Sequence, residues 1–360
     1  MPKKILFLTP YPLGESPSQR FRFEQYFPLL KEHGIEIVVQ SFLNSHNWQL
    51  FYKPGNLLLK IMALLGGFTK RWIILPQALS FDFVFIHREA TPVGPPLMEW
   101  ILAKIFRKRI IYDFDDAIWL TDRVNESLLL RIAKWRSKVS SICRWSYHVS
   151  CGNEYLLNYA SAFSASGRYI PTTIDTEHWH NPDLFPKSEK KDLLVIGWTG
   201  SHSTIKYLKS IESVLRQVES KYAHIRFLFI ADQKPDLALS SLEFIPWNKK
   251  TEIRDLMNFD IGIMPLPDDE WAKGKCGFKA LQYMALEIPT VVSPVAVNTK
   301  IIDNGFNGLL ASDPEEWLKN LSMLIENEKV RNDMGRAGRK KVIANYSVIS
   351  TSSSFLSLFG

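Results

Sequence analysis

The sequence lacks several motifs that would assign an α/β protein to a common enzyme class. It contains neither a Walker A loop nor a Gly-x-Gly-x-x-Gly fingerprint, which argues against a nucleoside triphosphatase and a dinucleotide-dependent dehydrogenase. Its three cysteines, Cys143, Cys151 and Cys276, include no Cys-x-x-Cys pair, which argues against a disulfide framework and a structural zinc site. The histidines show no metal-ligand spacing. We therefore expect a cytoplasmic protein without a bound metal or cofactor.

Long apolar runs are also absent. The N-terminal stretch MPKKILFLTP is too short in its apolar part for a signal peptide and predicts a first β-strand instead. The most apolar window, residues 57–67, is interrupted by Lys60 and is much shorter than the roughly 20 residues that span a bilayer. The sequence therefore predicts no transmembrane helix.

Length and charge set the next limits. The 360 residues suffice for about two domains at roughly 150 residues each. Residues 1–180 carry 21 basic and 15 acidic side chains, whereas residues 181–360 carry 23 and 22, so the halves have net charges of +6 and +1. The first half is therefore expected to meet an anionic surface or substrate.

Short runs rich in Val, Ile and Phe alternate with segments of helical length throughout the chain. This alternation is typical of βαβ units with parallel sheets. The predicted strands are 4–9, 35–40, 83–86, 109–113, 146–150, 193–198, 225–231, 242–245, 260–265 and 289–293, and the predicted helices are 18–33, 95–106, 125–141, 153–161 and 204–218. We predict an N-terminal domain (1–180), a linker (181–192), a C-terminal domain (193–345) and a tail (346–360) that packs back on the N-terminal domain.

Two segments of the second half could hold a diphosphate. The loop 197–204 (GWTGSHST) joins a strand to a helix, whose N-terminus offers unpaired N–H groups to an anion; simple helix capping is the alternative. In the segment 274–286 (GKCGFKALQYMAL), helical spacing would place Lys275, Lys279 and Gln282 on one face. A solvated lysine face is the alternative there.

Residues 193–345 resemble the nucleotide-binding domain of family 4 glycosyltransferases. The resemblance lies in the strand and loop just described, in PWNKKTEIRDLMNFDIGIMPL, in GKCGFKALQYMALEIPTVVS and in DNGFNGLLASDPEEW. Residues 170–179 (IPTTIDTEHW) resemble the family's hinge, and KILFLTPYP with Gly14 resembles its first strand and loop. The resemblance implies the GT-B fold, in which two Rossmann-like doubly wound α/β domains face each other across a cleft.

The resemblance also implies the activity and the donor site. Such enzymes transfer a sugar from a nucleotide-diphosphate sugar with retention and generally need no metal. The implied catalytic residues are Asp115, which aligns roughly with a family histidine near the donor sugar, and Lys279, which would hold the diphosphate. Asp113 is added to them because of its position at the end of a predicted strand. Trp247 would lie near the base. The implied donor-binding set is Gly200, Ser201, Ser203, Thr204, Lys206, Trp247, Lys275, Gly277, Phe278 and Gln282.

One departure concerns the family's Glu-x7-Glu pair, which falls on Gly274 and Gln282. A glutamine amide can share the second glutamate's contact with the ribose hydroxyls but lacks its charge. A glycine cannot replace the first glutamate, which touches the donor sugar, although Asp268, Asp269 and Glu270 lie just upstream. Two alternative functions therefore stay open: a GT-B nucleotide-sugar epimerase, and a catalytically degenerate nucleotide-sugar-binding protein.

In the first half, charged residues follow the predicted strands. Asp113, Asp115 and Asp116 end the strand 109–113, where carboxylates can bind sugar hydroxyls, act as a base or, less plausibly, hold a metal. Gly14, Arg20, Arg22, Arg88 and Asp116 are assigned to the acceptor or phosphate side. Arg20 and Arg22 would open a helix, where cations oppose the helix dipole unless an anion such as phosphate binds; a solvated helix surface is the alternative.

Ten basic side chains lie between Lys104 and Arg144. Together with the tryptophan-bearing helix 125–141, they could rest on an anionic membrane, although an ordinary core helix is the alternative. No recognised nucleic-acid-binding motif accompanies the charge. The sequence thus predicts a glycosyltransferase at the inner face of the cell membrane that acts on a glycan or lipid-linked acceptor in cell-surface polysaccharide synthesis.

Overall fold

A computed structural model describes residues 2–121, 126–185 and 193–360. The chain forms two compact units: unit 1 comprises Met1–Thr172 with Thr351–Gly360, and unit 2 comprises Thr173–Ser350. The first boundary therefore precedes the predicted linker, of which residues 186–192 lie outside the described residues. The segment after Thr172 belongs to unit 2 because Ile174 pairs with Ser347 and because Arg339 donates to the carbonyl of His180.

Unit 1 is built on a parallel six-stranded sheet with the strand order β2-β1-β3-β4-β5-β6. Its four central strands are buried except at the first residue of three of them, as expected for a sheet covered on both faces. Five strands match the predicted ones to within two residues, and β6 was not predicted. The strands are β1 (Lys4–Thr9), β2 (Glu36–Ser41), β3 (Phe83–His87), β4 (Arg109–Phe114), β5 (His148–Cys151) and β6 (Gly167–Tyr169).

The helices of unit 1 are shorter and more often interrupted than those predicted from the sequence. Residues 18–33 form two short helices separated by a 3₁₀ turn, and residues 101–105 continue α5 as a π-helix. Two helices between β2 and β3 were not predicted. The helices are α1 (Pro17–Arg20), α2 (Phe27–Glu32), α3 (Ser45–Tyr52), α4 (Leu57–Gln77), α5 (Leu97–Trp100), α6 (Leu128–Lys134), α7 (Lys138–Trp145) and α8 (Glu154–Ser161).

Aromatic side chains fill the core of unit 1, and the end of the chain contributes to it. Phe7 and Phe85 on neighbouring strands have ring centroids 4.8 Å apart. Tyr26 stacks on Phe355 at 4.1 Å with nearly parallel rings, and its hydroxyl hydrogen-bonds Thr351 Oγ1 at 2.6 Å. The last ten residues are therefore an integral part of this core.

Unit 2 contains a second parallel six-stranded sheet, with the order β12-β11-β10-β7-β8-β9. The chain adds β8 and β9 on one side of β7 and then returns to add β10, β11 and β12 on the other. Such a reversal creates a switch point between β7 and β10, where ligands commonly bind in open α/β sheets. The strands are β7 (Leu194–Thr199), β8 (Ile225–Ala231), β9 (Leu242–Pro246), β10 (Ile261–Met264), β11 (Thr290–Val292) and β12 (Leu309–Leu310).

Helices connect these strands and bury a large apolar cluster around Trp198, Leu215 and Phe229. The predicted helix 204–218 is two helices that meet at Ser210 and Ile211. The helices are α9 (His202–Lys209), α10 (Glu212–Lys221), α11 (Glu252–Leu256), α12 (Glu270–Lys273), α13 (Phe278–Ala285), α14 (Asn298–Ile301), α15 (Pro314–Glu326), α16 (Glu328–Asn345) and α17 (Val348–Leu356), the last of which runs from unit 2 into unit 1. The predicted class, two doubly wound α/β domains, is confirmed.

Candidate functional site

The switch point of unit 2 brings the loop after β7 next to helix α13. Tyr283 of α13 accepts a hydrogen bond from the Thr199 N–H through its hydroxyl oxygen at 2.8 Å. Lys279 lies one turn earlier on the same helix face, with its Nζ 5.8 Å from the centre of the Trp198 ring. A Cβ at Gly200 would lie 2.3 Å from that ring, so only glycine fits there. Lys279 and the glycine loop are thus neighbours.

Helix α9 begins directly after this loop, and part of its N-terminus is already engaged. Thr204 Oγ1 accepts a hydrogen bond from the Ser201 N–H at 3.2 Å. The hydroxyls of Ser201 and Ser203 are hydrogen-bonded to each other at 2.9 Å. Asp232, which follows β8, accepts from the His202 N–H at 2.5 Å and contacts His202 Nδ1 at 2.6 Å. A carboxylate therefore occupies a position that favours anions.

Lys275 does not share a helix face with Lys279 and Gln282, so that prediction was wrong. Helix α13 begins only at Phe278, after Gly277 in the left-handed conformation (φ 69°). Lys275 lies before this turn, with its Nζ 5.0 Å from the centre of the Trp271 ring. A positive φ of this kind ends any regular continuation toward the N-terminus, which separates the two lysines.

Gln282 is buried and belongs to a polar cluster inside unit 2. Its Nε2 lies 3.2 Å from His180 Nε2 and 3.5 Å from Glu252 Oε1. The indole N–H of Trp247 also donates to Glu252 Oε1 at 3.4 Å. Trp247 and Gln282, which were both predicted to bind the sugar donor, thus contact the same carboxylate, that of Glu252.

Sequence reasoning missed Glu252, His180 and Asp232 as partners in this region. Asp232 had a usable signal, because an acidic residue directly after a buried parallel strand lies at the ligand-binding edge of the sheet. Glu252 opens a short helix after β9, which gives a weaker signal. His180 precedes the predicted linker and offered none.

The other residues predicted to bind the sugar donor lie on or beside helices α9, α12 and α13. Lys206 is exposed on α9, with its Nζ 5.3 Å from the centre of the Tyr207 ring. Phe278 is half-buried at the first position of α13. Gly274 ends helix α12, so the position of the missing first glutamate precedes the left-handed turn at Gly277.

In unit 1, Arg22 and Asp113 do not occupy the predicted ligand-facing positions. Both are about 1% exposed, and they form an internal ion pair at 2.5 Å. Burial alone would raise the pKa of Asp113, but the Arg22 charge and the hydrogen bond and charge of His87 hold it well below its ordinary value. Ser150 also donates to Asp113, at 2.6 Å. The predicted phosphate contact of Arg22 and the cleft-facing role of Asp113 are therefore replaced by a buried network.

A chain of polar contacts leads from this network to the partly exposed Asp115. His87 Nδ1 lies 2.8 Å from Asp113 Oδ2, and His87 Nε2 lies 2.8 Å from Ser18 Oγ. Ser18 Oγ in turn donates to Asp115 Oδ1 at 2.8 Å. Ser18 and His87 thus connect the buried Asp113 carboxylate to Asp115.

Arg88 directly follows β3, at the same end of the sheet as Asp115 and Asp116. Its backbone is left-handed (φ 59°), which is uncommon for a side chain other than glycine and recurs at functional sites. The Arg88 N–H donates to the Asp113 carbonyl, and the Arg88 carbonyl accepts from Tyr112 Oη, both at 2.7 Å. Its guanidinium pairs with Asp115 at 2.8 Å and with Asp116. Burial opposes the Arg88 charge, but these carboxylates raise its pKa well above the usual value.

Gly14 and Arg20 follow β1, at the same end of the parallel sheet as Arg88. The Gly14 N–H donates to Glu24 Oε2 at 2.8 Å, and the Arg20 guanidinium stacks over the Phe21 ring at 4.9 Å. Of the three predicted aspartates, the structure thus keeps Asp115 and Asp116 at the edge with Arg88. Within the described residues, no group of three or more His, Cys, Asp or Glu side chains is arranged to hold a metal ion.

Comparison with solved structures shows which fold these two units form. A glycosyltransferase from Rickettsia africae superposes with a TM-score of 0.71 at 12% identity, covering 99% of this chain and 98% of the other. Sucrose-phosphate synthase from Thermosynechococcus elongatus gives 0.68 at 12% identity, with the same coverage. Anabaena HepE in complex with UDP-glucose gives 0.64 at 12% identity, covering 98% of each chain. The fold is GT-B.

The sequence comparisons concern mainly unit 2. Residues 192–327 match the family model described as "Glycosyl transferases group 1". This match covers the β7 loop, Trp247, Lys279 and Gln282. A search of curated proteins found no match.

Proposed function

We propose that this GT-B chain transfers a sugar from a nucleotide-diphosphate sugar to a glycan or lipid-linked acceptor, with retention at the anomeric carbon. The main support is that the group 1 model matches the residues that meet at the switch point of unit 2. HepE, a fold neighbour, is named in complex with UDP-glucose. Unit 2 would bind the donor, with Lys279 and the α9 N-terminus facing the diphosphate. We place the enzyme in the cytoplasm, in cell-surface polysaccharide synthesis.

The chemical task supports this assignment of roles. The diphosphate leaves with developing negative charge, which preorganised cations and helix ends stabilise. Lys279 and the N–H groups that begin α9 would supply that charge without a metal ion. Asp115, linked through Ser18 to His87, would contact the sugar or acceptor hydroxyls and handle a proton. Addition of EDTA should therefore leave the release of nucleoside diphosphate unchanged, and a loss of activity that Mg²⁺ or Mn²⁺ restores would contradict this role for Lys279.

The experiment is a thermal-shift screen of the full chain against UDP-, GDP-, ADP- and dTDP-sugars. A ligand that binds only the folded state raises its apparent stability. The sugar that stabilises the chain is then offered with lipid and glycan acceptors, and nucleoside diphosphate release and the anomeric configuration of the product are measured. No stabilisation by any member of the panel would contradict the proposal.

A binding protein without transferase activity is the second candidate, and one observation favours it. The positions of the family's glutamate pair hold Gly274, which ends a helix, and Gln282, which is buried against His180 and Glu252. Nucleotide-sugar binding without diphosphate release under any acceptor would support this candidate. Interconversion of the sugar without transfer would instead indicate an epimerase.

The carboxylate at the start of α9 gives a sharp prediction for the donor site. We expect Asp232→Asn to raise the affinity for UDP or GDP by about two- to fivefold at low salt, because it removes a like charge from the helix end. Asparagine can still accept from the His202 N–H, so the helix cap is kept. Isothermal titration calorimetry measures the change.

Asp236→Asn is the matched control, because Asp236 is fully exposed and lies 3.7 Å from Lys209 on the same helix. Its affinity for nucleotide should equal that of the wild type. An unchanged or weaker affinity of Asp232→Asn would place the diphosphate elsewhere than at this helix end.

A further inference from the structure

Helix α4 of unit 1 (Leu57–Gln77) presents an apolar side to solvent. Its buried side contains Ala63, Gly67, Arg71 and Leu75, which follow one another at intervals of four residues. Most of its large apolar side chains point away from this side and are between 44% and 73% exposed; they are Leu57, Leu58, Leu59, Ile61, Met62, Leu65, Trp72 and Ile73. This reverses the usual pattern of a surface helix, whose polar side faces water.

The packing of α4 fixes this orientation. A Cβ at Gly67 would lie 2.4 Å from the Phe42 ring, so the helix is in close contact with the residue that follows β2. Arg71 donates to the carbonyl oxygens of Thr9, Gln40 and Ala90 at 2.6 to 2.7 Å. Rotating the helix to bury its apolar side would break all three hydrogen bonds, so the apolar side remains outward.

The charge around α4 identifies what would cover it. No acidic residue occurs between Glu36 and Asp82, whereas that stretch contains Lys53, Lys60, Lys70 and Arg71. Arg71 is buried, but Lys53 and Lys70 are exposed and Lys60 is partly so. Exposed apolar side chains in a segment whose exposed and partly exposed charged residues are all lysines suit a membrane that carries anionic phospholipids, because the ammonium groups meet the headgroups while the apolar side enters the acyl boundary.

A neighbouring element carries similar side chains. Right-handed crossovers place the β2–β3 and β3–β4 connections on the same face of the sheet. The second connection exposes Leu97, Trp100 and Ile105, with Lys104 also exposed. Tryptophan is enriched where proteins meet the membrane interface. Within the described residues, no helix is long and apolar enough to cross a bilayer, so the geometry favours a helix that lies on the membrane.

We propose that unit 1 binds anionic lipid bilayers through the exposed apolar side of α4, with the helix axis along the membrane surface. This surface differs from the basic segment between Lys104 and Arg144 that sequence reasoning favoured. The inference does not rest on the proposed sugar transfer, since membrane binding is measured without a nucleotide or an acceptor.

Flotation of the full chain with vesicles tests the proposal. Vesicles of phosphatidylcholine alone are compared with vesicles that also contain phosphatidylglycerol. The wild type should float with the anionic vesicles, and Met62→Glu with Leu65→Glu should lower that binding by about tenfold or more. Lys53→Gln with Lys70→Gln should reduce only the preference for anionic lipid, by about fivefold per lysine.

Phe306→Glu with Ile349→Glu is the matched control, because these side chains of unit 2 are 70% and 65% exposed. This double variant should float like the wild type. Should the glutamates in α4 impair folding, brominated lipids offer a second measurement. They should quench the fluorescence of the wild type more than that of Trp72→Phe, since Trp72 would lie in the interface.

Three results would overturn the proposal. The first is a wild type that does not float with anionic vesicles. The second is unchanged binding of the Met62→Glu, Leu65→Glu variant while Leu128→Glu with Leu129→Glu abolishes it, which would move the contact to α6. The third is a wild-type dimer, detected by light scattering without vesicle binding, that the α4 variant converts to a monomer. That result would make the surface an interface between two copies of the chain.

Discussion

Replacing Arg22 with methionine is expected to destabilise the folded chain by about 3–5 kcal/mol. Arg22 is buried in unit 1 and binds the Asp113 carboxylate, the Ser150 hydroxyl and the Ile170 carbonyl. Methionine fills much of the same volume but leaves the carboxylate in a low-dielectric interior without its main counter-charge. Urea unfolding at neutral pH measures the loss.

The pH dependence of this variant separates an ion-pair effect from a packing effect. In the wild type the pKa of Asp113 is held below its unfolded value of about 3.9. The pair therefore stabilises the chain above that pH, and this stability is lost as the pH falls toward the folded pKa. Without Arg22, burial raises the pKa of Asp113, and protonation then removes the unpaired charge. The stability difference between variant and wild type should therefore shrink between neutral pH and about pH 4.

Arg336→Met provides the control, because Arg336 and Asp333 form an ion pair whose side chains are more than half exposed. Loss of such a pair should cost less than about 1 kcal/mol. A deficit of Arg22→Met that is the same at both pH values would contradict the charge argument and would attribute the loss to packing.

Replacing Lys279 with methionine should weaken the binding of nucleoside diphosphate by about 1.5–3 kcal/mol, which is the usual contribution of a hydrogen bond to a charged group. Methionine keeps most of the side-chain volume beside Trp198 but removes the ammonium group. Calorimetry with UDP or GDP at fixed salt gives the affinity, and the salt is held constant because charge interactions are screened.

Lys275→Met tests the specificity of this effect. The sequence assigned both lysines to the donor, but the left-handed turn at Gly277 separates them and Lys275 lies over Trp271. Its replacement should change the affinity by less than about threefold, as expected for a surface charge outside the site. Equal losses in the two variants would indicate a diffuse charge effect instead of a contact with Lys279.

Much of the fold could be predicted, because buried parallel strands appear in the sequence as short runs of β-branched and aromatic residues. The strands missed were β6 and β12, which have three and two residues. Helix α4 was missed for a different reason: apolar residues occupy both its buried and its exposed sides, so the sequence has no clear 3.6-residue periodicity there. The feature that concealed the helix is the one on which the membrane proposal rests.

The site was predicted in part, and the roles assigned to charged residues were the least accurate predictions. The resemblance to the family assigned the loop at Gly200 and Lys279 to one diphosphate, and both lie beside Trp198 in the structure. Arg22 and Asp113 were assigned to ligands, because a charged residue in sequence does not reveal whether its partner is a substrate or another side chain 91 residues away. Only the tertiary structure distinguishes these cases.

The division of the chain also bears on how the protein is made. Most of unit 1 precedes unit 2 in the chain, but its core includes Phe355, which stacks on Tyr26 and is completely buried. Domains that precede others in a chain usually fold first during synthesis. Here the Tyr26 side of the core of unit 1 stays uncovered until Phe355 has left the ribosome, after the whole of unit 2 has been made. A stop codon shortly before Phe355 would thus damage the first unit to be translated.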